Sequence, residues 1–292
     1  MFAAKPHPTL VPFDGTFNVR QAPSAPQKFK DKDKDYWQER LKDEAKALGK
    51  AQYRLHADAR YAVLLVFQAL DAAGKDGTIR HVFAGVNPNG LRVASFKRPS
   101  ARELAHDFLW RTARQLPARG NVVIFNRSYY EEVLVVRVQP ELLSAQRLPE
   151  PPPATYWDDR LRAIADHERH LAEQGTVILK FWLNVSKGEQ RKRFLERIDE
   201  PDKNWKFNPG DLDERERWDD YLTAYQHAVS ATSRPWAPWY AIPADDKHFM
   251  RWQVAKLVND ALEQLDVRFP AADEAAKGAL KQAKERLLAQ PD

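Results

Sequence analysis

Asp71, Gly74, Lys75 and Gly77 fall within the eight residues Asp71-Ala72-Ala73-Gly74-Lys75-Asp76-Gly77-Thr78, directly behind the apolar run from Ala62 to Phe67. A strand feeding a small-residue loop with a Gly-Lys pair, and then a helix, aims backbone N–H groups and an ammonium at phosphate oxygens. On that reading Ala73, Gly74, Lys75, Asp76, Gly77 and Thr78 hold phosphate. Two details depart from the usual pattern: Ala69 stands where glycine is expected, and Asp76 follows the lysine in place of Ser or Thr. A carboxylate beside a phosphate site repels the anion unless a cation lies between them, so Asp71 is expected to be a Mg²⁺ ligand, direct or through water. The plainer reading is an ordinary Asp/Gly turn.

A second group, Asn126-Arg127-Ser128-Tyr129-Tyr130-Glu131-Glu132, follows the apolar run from Val122 to Phe125. The planar fork of Arg127 matches phosphate oxygens and could neutralise a transferred phosphoryl group. Glu131 and Glu132 could hold metal or position a nucleotide, or simply sit at a helix N-terminus, where carboxylates are favourable. A third group is basic: Arg191, Lys192, Arg193 and Arg197 precede a Pro- and Trp-containing stretch, Glu200 to Gly210, that carries Lys203 and Lys206. Such a stretch predicts a lid that excludes water from a phosphate site, against the alternative of a solvated helix with Glu189, Glu196 and Asp199 as partners. Trp205 belongs to this stretch, whereas Trp110, Trp157, Trp182, Trp218 and Trp252 are expected in the core. The histidines show no metal-ligand spacing and there is no Gly-x-Ser-x-Gly elbow.

The elements that must position these groups can be read from periodicity. Residues 1–34 are proline-rich, with the alternating run Lys30 to Lys34, and predict an extended arm. A long amphipathic helix is expected from Tyr36 to about Ala59, then strands at Tyr61 to Phe67, Leu91 to Phe96, Val122 to Phe125, Val177 to Leu183 and Trp239 to Ile242. Helices are expected from Thr78 to Val86, from a Ser100/Glu103 capping box to Leu116, and from Tyr156 to Leu171. Further helices are expected at Gly188 to Ile198, about Leu212 to Ser233, about Phe249 to Leu265, and Ala271 to Gln290. The alternation predicts an α/β fold: a three-layer α/β/α sandwich on a mostly parallel five-stranded sheet with the first and third strands central. Polar residues where a strand ends are suspect, because ligands bind at the carboxyl edge of open α/β sheets. The expected organisation is an arm (1–34), a phosphotransferase domain (35–268) with a lid at about 187–212, and a terminal helix or tail (269–292).

At 292 residues and 43% hydrophobic composition, the chain can fill one large core. Net charge is only +5, but Lys75 to Arg137 holds eleven basic residues against five acidic, the pattern of a surface that meets polyanions or of a solvated basic face. There is no cysteine, which removes disulfides, thiolate metal sites and thiol catalysis. No membrane span or signal-peptide core is apparent, so a soluble cytoplasmic protein is expected.

Taken together, Asp71 to Gly77, Phe125 to Val138 and Pro201 to Phe207 resemble the polyphosphate kinase 2 family. Supporting stretches include Phe96 to Ser100, Asp107 to Arg111, Ile178 to Trp182 and Pro238 to Pro243. The resemblance runs from about Asp35 to Leu265. It implies a thymidylate-kinase-like P-loop fold and reversible, Mg²⁺- or Mn²⁺-dependent phosphoryl transfer between inorganic polyphosphate and adenine or guanine nucleotides. It further implies a homo-oligomer, dimer or tetramer, with no specific nucleic-acid partner. By matching positions, Asp71 and Lys75 belong to the Walker A motif, Arg127 to the Walker B region, and Arg193, Lys203 and Lys206 to the lid. The catalytic set it implies is Asp71, Lys75, Arg127, Glu131 and Arg193, with metal at Asp71 and Glu132. Lys97, Arg98, Arg127, Arg137, Lys203 and Lys206 join the loop in binding polyphosphate, and Asn126, Arg127, Tyr130, Glu131, Arg193 and Arg197 bind nucleotide.

The segment from Asn126 to Val138 is most similar to the subgroup accepting both AMP and ADP, whose common wording is Asn-Arg-Ser-His-Tyr-Glu-Asp. Tyr129 replaces the histidine, Glu132 the aspartate, and Ala73 a frequent glycine of the loop. Rival readings are an ATP-dependent nucleoside monophosphate kinase, which needs a purine pocket for its donor, and a non-catalytic polyanion- or RNA-binding protein.

Overall fold

Five strands, β1 (Ala62–Ala69), β2 (Leu91–Ser95), β3 (Val122–Asn126), β4 (Thr176–Asn184) and β5 (Trp239–Pro243), form one sheet in the order β2-β3-β1-β4-β5. All four pairings are parallel, so β1 is the middle strand and β3 and β4 flank it. The computed structural model describes residues 1–27, 29 and 31–291; Lys30 of the charged run and the last residue of the tail lie outside them.

Parallel strands covered on both faces read as continuous apolar runs, and β1 is buried along nearly its whole length. Its side chains alternate between two cores. Val63, Leu65 and Phe67 pack with Leu48, Leu55, Val82 and Val254 on one face, and Leu64 and Val66 pack with Ile164, Trp182 and Ala228 on the other. The first face is covered by α1 (Lys34–Asp58), α2 (Lys75–Val82) and, from near the end of the chain, Lys247–Glu263. The second is covered by helices that lie between β2 and β5. In chain order these are α3 (Ala101–Leu104), α4 (Trp110–Ala113), α5 (Val135–Val138), α6 (Tyr156–Glu173), α7 (Lys187–Asp199), α8 (Gly210–Glu216) and α9 (Trp218–Thr232). Of these α6 and α9 supply most of the cover, and α7 and α8 belong to the carboxyl end of the sheet. Lys247–Glu263 is α10, and α11 (Glu274–Leu288) follows, capped by Asp273 and with no buried residue.

Several expected elements change where local side-chain bonds intervene. The single helix expected up to Leu116 is two short ones, because the Asp107 carboxylate accepts the Leu109 N–H and turns the chain between them. The helix expected from Leu212 is divided at Arg217 into α8 and α9. The helix after the phosphate loop starts at Lys75 instead of Thr78, capped by Gly74 in the left-handed region (φ 98°). Of the tryptophans expected in the core, Trp182 is buried, whereas Trp110, Trp157, Trp218 and Trp252 are half-buried; Trp37 and Trp239 take the deeper places.

The arm is extended and packed. Val11 and Val19 are buried, and Leu10 forms an antiparallel bridge to Tyr240. The Val11 N–H donates to Trp239 O and the Ala241 N–H to Thr9 O, so the arm covers the free edge of β5. Among the described residues no helix is long and apolar enough to cross a membrane.

Candidate active site

The carboxyl ends of β1 and β3 lie side by side, with Phe67 opposite Asn126, so the loops that follow them converge. The β1 loop climbs through Ala72 in the left-handed region (φ 61°) and Gly74 into α2. A Cβ on Gly74 would meet Met250 Cε at 3.2 Å, so both its φ and its surroundings call for glycine. Ala73, by contrast, is buried and has an ordinary φ, which is why alanine serves there. The N–H groups in the first turn of α2 have no intrahelical acceptor and point out of the helix start, the arrangement that receives anions. Asp76 does not face this turn as a hydroxyl would; its Oδ1 accepts from Asn126 Nδ2 at 2.6 Å and so ties α2 to the end of β3.

Arg127 also occupies the left-handed region (φ 64°), an uncommon state for a residue with a Cβ. Its terminal nitrogens lie 3.2 Å from Asp71 Oδ1 and 3.2 Å from Glu131 Oε2. Those carboxylates, Glu131 foremost, hold the guanidinium firmly protonated. Lys75 has no salt-bridge partner within 4 Å among the described residues. Desolvation, with Arg127 adding repulsion, lowers its pKa. Lys75 is thus a cation lacking an anion.

Two cavities meet at Leu70, Asp71 and Arg127. The larger, about 1020 Å³, is lined by the phosphate loop, Lys97 and Arg98 after β2, the inner side of α7, and the α10 start; eleven basic residues face six acidic ones. Its character is that of a polyanion channel. The smaller, about 250 Å³, is lined by Glu131, Gln190, Asp211, Glu214, Trp218, Tyr221 and Tyr225 among others, an aromatic wall with carboxylates. Burial pushes the Asp211 carboxyl up, helped by repulsion from Asp71. Glu214 accepts from both Gln139 and Tyr221, which fixes that wall.

Among the expected site residues, Asp71, Ala73, Gly74, Lys75, Asp76, Gly77, Lys97, Arg98, Asn126, Arg127, Arg193, Arg197, Lys203 and Lys206 line the larger cavity, and Glu131 lines the smaller. Four expectations fail on geometry. Thr78 is buried, and its hydroxyl and N–H both donate to Gly74 O, so it offers nothing to phosphate. Tyr130 lies in the core, its hydroxyl shared among Glu168, Thr232 and Lys180, well away from a nucleotide. Glu132 points into the protein and accepts from Gln146 and Tyr156 beside Arg160, so it is no metal ligand; desolvation raises its pKa. Arg137 lines neither cavity; it stacks on Trp157 and bonds His227.

Arg193 reaches the site in an unexpected role. Nε donates to Glu189, Nη1 to Ala72 O and Ala73 O, and Nη2 to Ala244 O and Asp245 O, at 2.7 to 3.1 Å. Its donors are spent on the protein. Residues not anticipated include Lys247 and Arg251 in the larger cavity and the α8–α9 wall of the smaller one. The signal for the first was Asp245-Asp246-Lys247 just past β5, a polar cluster at a strand's carboxyl end. The wall gave no comparable signal, since Tyr221 and Tyr225 four residues apart also read as core.

Among the described residues no three His, Cys, Asp or Glu side chains cluster to form an all-protein metal cage. Asp71 alone offers a partly exposed carboxylate between the two cavities. One carboxylate completed by phosphate oxygens and water is a donor set that suits Mg²⁺.

The profile of the family described as Polyphosphate kinase 2 (PPK2) matches residues 31–270. The ADP-polyphosphate phosphotransferase of Rhodopseudomonas palustris is 51% identical over 257 residues, covering 87% of this chain and 89% of that protein. The AMP/ADP-polyphosphate phosphotransferase of Meiothermus ruber is 49% identical over 230 residues, 79% of this chain and 82% of that one. Among solved structures, polyphosphate kinase 2 from Arthrobacter aurescens superposes with a TM-score of 0.86 at 38% identity, covering 97% of this chain and 98% of that one.

Proposed function

Because the chain belongs to the polyphosphate kinase 2 family, we propose that it moves the terminal phosphoryl group of inorganic polyphosphate to AMP and ADP, reversibly. The observation that carries this reading is the meeting of a basic channel and a small aromatic-walled pocket at Asp71 and Arg127. Polyphosphate occupies the channel, with residues 187–212 as a lid over it and Lys97, Arg98, Lys203 and Lys206 along it. The nucleotide occupies the pocket, its phosphates towards Arg127 and Glu131 and its base against Tyr221 and Tyr225.

A terminal phosphate oxygen of the acceptor, already ionised at neutral pH, attacks the terminal phosphorus of the polymer. A new P–O bond forms, the bridging P–O bond breaks, and its electron pair leaves on the shortened chain. No strong general base is required. Catalysis consists of alignment and charge neutralisation by Lys75, Arg127 and the α2 amides. Asp71 is the residue that would hold Mg²⁺, which would supply further neutralisation when bound. The ATP-dependent kinase reading has less support, since charged side chains predominate in the lining of the channel. Purified protein with Mg²⁺ and long-chain polyphosphate, incubated separately with AMP, ADP, GMP and GDP, tests the proposal. Formation of ATP from ADP is the expected result, and formation of ATP from AMP identifies the broader acceptor range. Transfer only when ATP is the donor overturns it.

A further inference from the structure

The segment from Ala22 to Ser24 lies before the region matched to the family, yet it is fastened across the carboxyl ends of β4 and β5. Asn184 Nδ2 donates to Ala22 O at 3.0 Å and Pro23 O at 3.2 Å. Ser24 Oγ donates to Asp245 Oδ2 at 2.8 Å, and the Asp245 N–H returns to Ser24 O at 2.9 Å. Ser24 thereby holds Asp245 from two sides, while Ala22 and Pro23 fasten the strap to Asn184 at the end of β4.

Asp245 passes the constraint onward by two routes. Its Oδ1 accepts the Ser186 N–H at 2.7 Å, fixing the residue that caps α7. Its carbonyl, with that of Ala244, receives Arg193 Nη2, while Nη1 of the same guanidinium grips the carbonyls of Ala72 and Ala73. A planar group bonded on all sides transmits position because it cannot rotate without breaking several bonds. Gln190 adds a parallel tie from α7 to Asp71 O at 2.9 Å. The phosphate loop, the root of the lid helix and the arm are therefore one hydrogen-bonded unit.

We propose that the Ala22–Ser24 strap is a positioning element for phosphoryl transfer, acting through Asp245 and Arg193 on the phosphate loop, and that Arg193 is itself a positioning residue. This rests on the larger cavity being the polyphosphate site. Ser24 and Asn184 line neither cavity, so an effect of their removal on turnover is indirect.

The test uses the full chain with Ser24→Ala/Asn184→Ala, Arg193→Ala, Arg193→Lys, and the triple variant Ser24→Ala/Asn184→Ala/Arg193→Ala. Without any substrate, amide hydrogen exchange of residues 72–78 and 187–193 is expected to quicken about tenfold in the strap variant. With Mg²⁺ and long-chain polyphosphate, its kcat is expected to fall about tenfold while KM for ADP stays within about twofold. Arg193→Lys, with three donors for five acceptors, is not expected to restore what Arg193→Ala loses. The triple variant is expected to be no slower than Arg193→Ala, since both lesions open the same unit. Unchanged exchange at 72–78, or losses that multiply, overturns the proposal. If the strap variant does not fold, the wild-type chain decides. Polyphosphate with Mg²⁺ should slow exchange at Asp245 together with 72–78, and protection of the loop with Asp245 indifferent overturns it. Absence of polyphosphate-driven turnover in the wild-type protein counts against the functional reading instead, and the substrate-free exchange comparison still judges the strap.

Discussion

Asp71 and Arg127, 3.2 Å apart, join the ends of two neighbouring strands at the place where the two cavities meet. Arg127 keeps a second carboxylate, Glu131, when Asp71 is neutralised, so the guanidinium stays placed. Asp71→Asn is therefore expected to remove the charge proposed to hold Mg²⁺ and leave the fold intact. Phosphoryl transfer should fall by about 10²- to 10³-fold, with a higher Mg²⁺ requirement and little change in the thermal midpoint. Steady-state rates across a Mg²⁺ titration and a melting curve check this; near-normal rates at ordinary Mg²⁺ would remove Asp71 from the mechanism.

Lys75 gives a pH dependence of defined sign. Its pKa is lowered by desolvation and by Arg127, and on the proposed reading the cationic form is the one that receives phosphate. As pH rises through that lowered pKa the free enzyme loses the charge, so kcat/KM for polyphosphate should decline on the alkaline side. Bound polyanion restores the proton, so kcat at saturation should decline less. Lys75→Arg should flatten the alkaline limb. The folded chain also holds this proton less tightly than the unfolded chain. Stability therefore rises with pH between the lowered folded pKa and the ordinary unfolded one, and Lys75→Met should be more stable than wild type at neutral pH while losing transfer. Kinetic pH profiles and denaturant titrations read both effects.

Beneath the Arg127 loop, Lys180 and Glu168 form a fully buried ion pair, with Tyr129 and Tyr130 both donating to Glu168. Removing one partner leaves the other charge buried and uncompensated. Lys180→Met is expected to cost about 3–5 kcal/mol in urea unfolding, and Lys180→Met/Glu168→Leu is expected to recover part of that loss. Equal costs for the single and double variants would mean that the pair itself supplies the stability.

Glu132 separates metal binding from structure. Glu132→Gln is expected to leave the Mg²⁺ dependence of turnover unchanged, because the carboxylate faces Tyr156, Gln146 and Arg160. The thermal midpoint should drop through the loss of the Arg160 pair. A shifted Mg²⁺ titration in this variant would contradict the inward orientation.

Lys203→Ala/Lys206→Ala removes two cations from the channel wall while leaving the phosphate loop untouched. KM for long-chain polyphosphate should rise about tenfold, and its salt dependence should become shallower. KM for ADP should hold. Parallel rises in both constants would place these lysines outside the polyphosphate path.

The centre of the sheet was legible because β1 and β3 are short, largely apolar runs, and the loops after them were legible because strands of that kind deliver their chemistry at one edge. What escaped was direction. Glu131 and Glu132 are neighbours of like type, and only the 3₁₀ turn Tyr129–Glu132 sends one to the cavity and the other inward. Tyr129 fits in place of the usual histidine because its hydroxyl reaches Glu168, a partner 39 residues on. Arg193 lines the larger cavity, but that its donors are consumed by five protein acceptors depends on carbonyls from two separate segments besides a carboxylate of its own helix, which no local pattern reveals.

The covering of β5 by the arm also fixes an order of events in time. Val11 O receives the Ser233 hydroxyl from 222 residues further along the chain, and the neighbouring bridge reaches Tyr240. During synthesis this part of the arm lacks its partner until β5, the last of the five strands in chain order, has been made. Closing so long a loop is entropically costly and belongs late in folding. Up to that moment the edge that the arm will seal does not yet exist, and residues 9–11 have no strand to pair with.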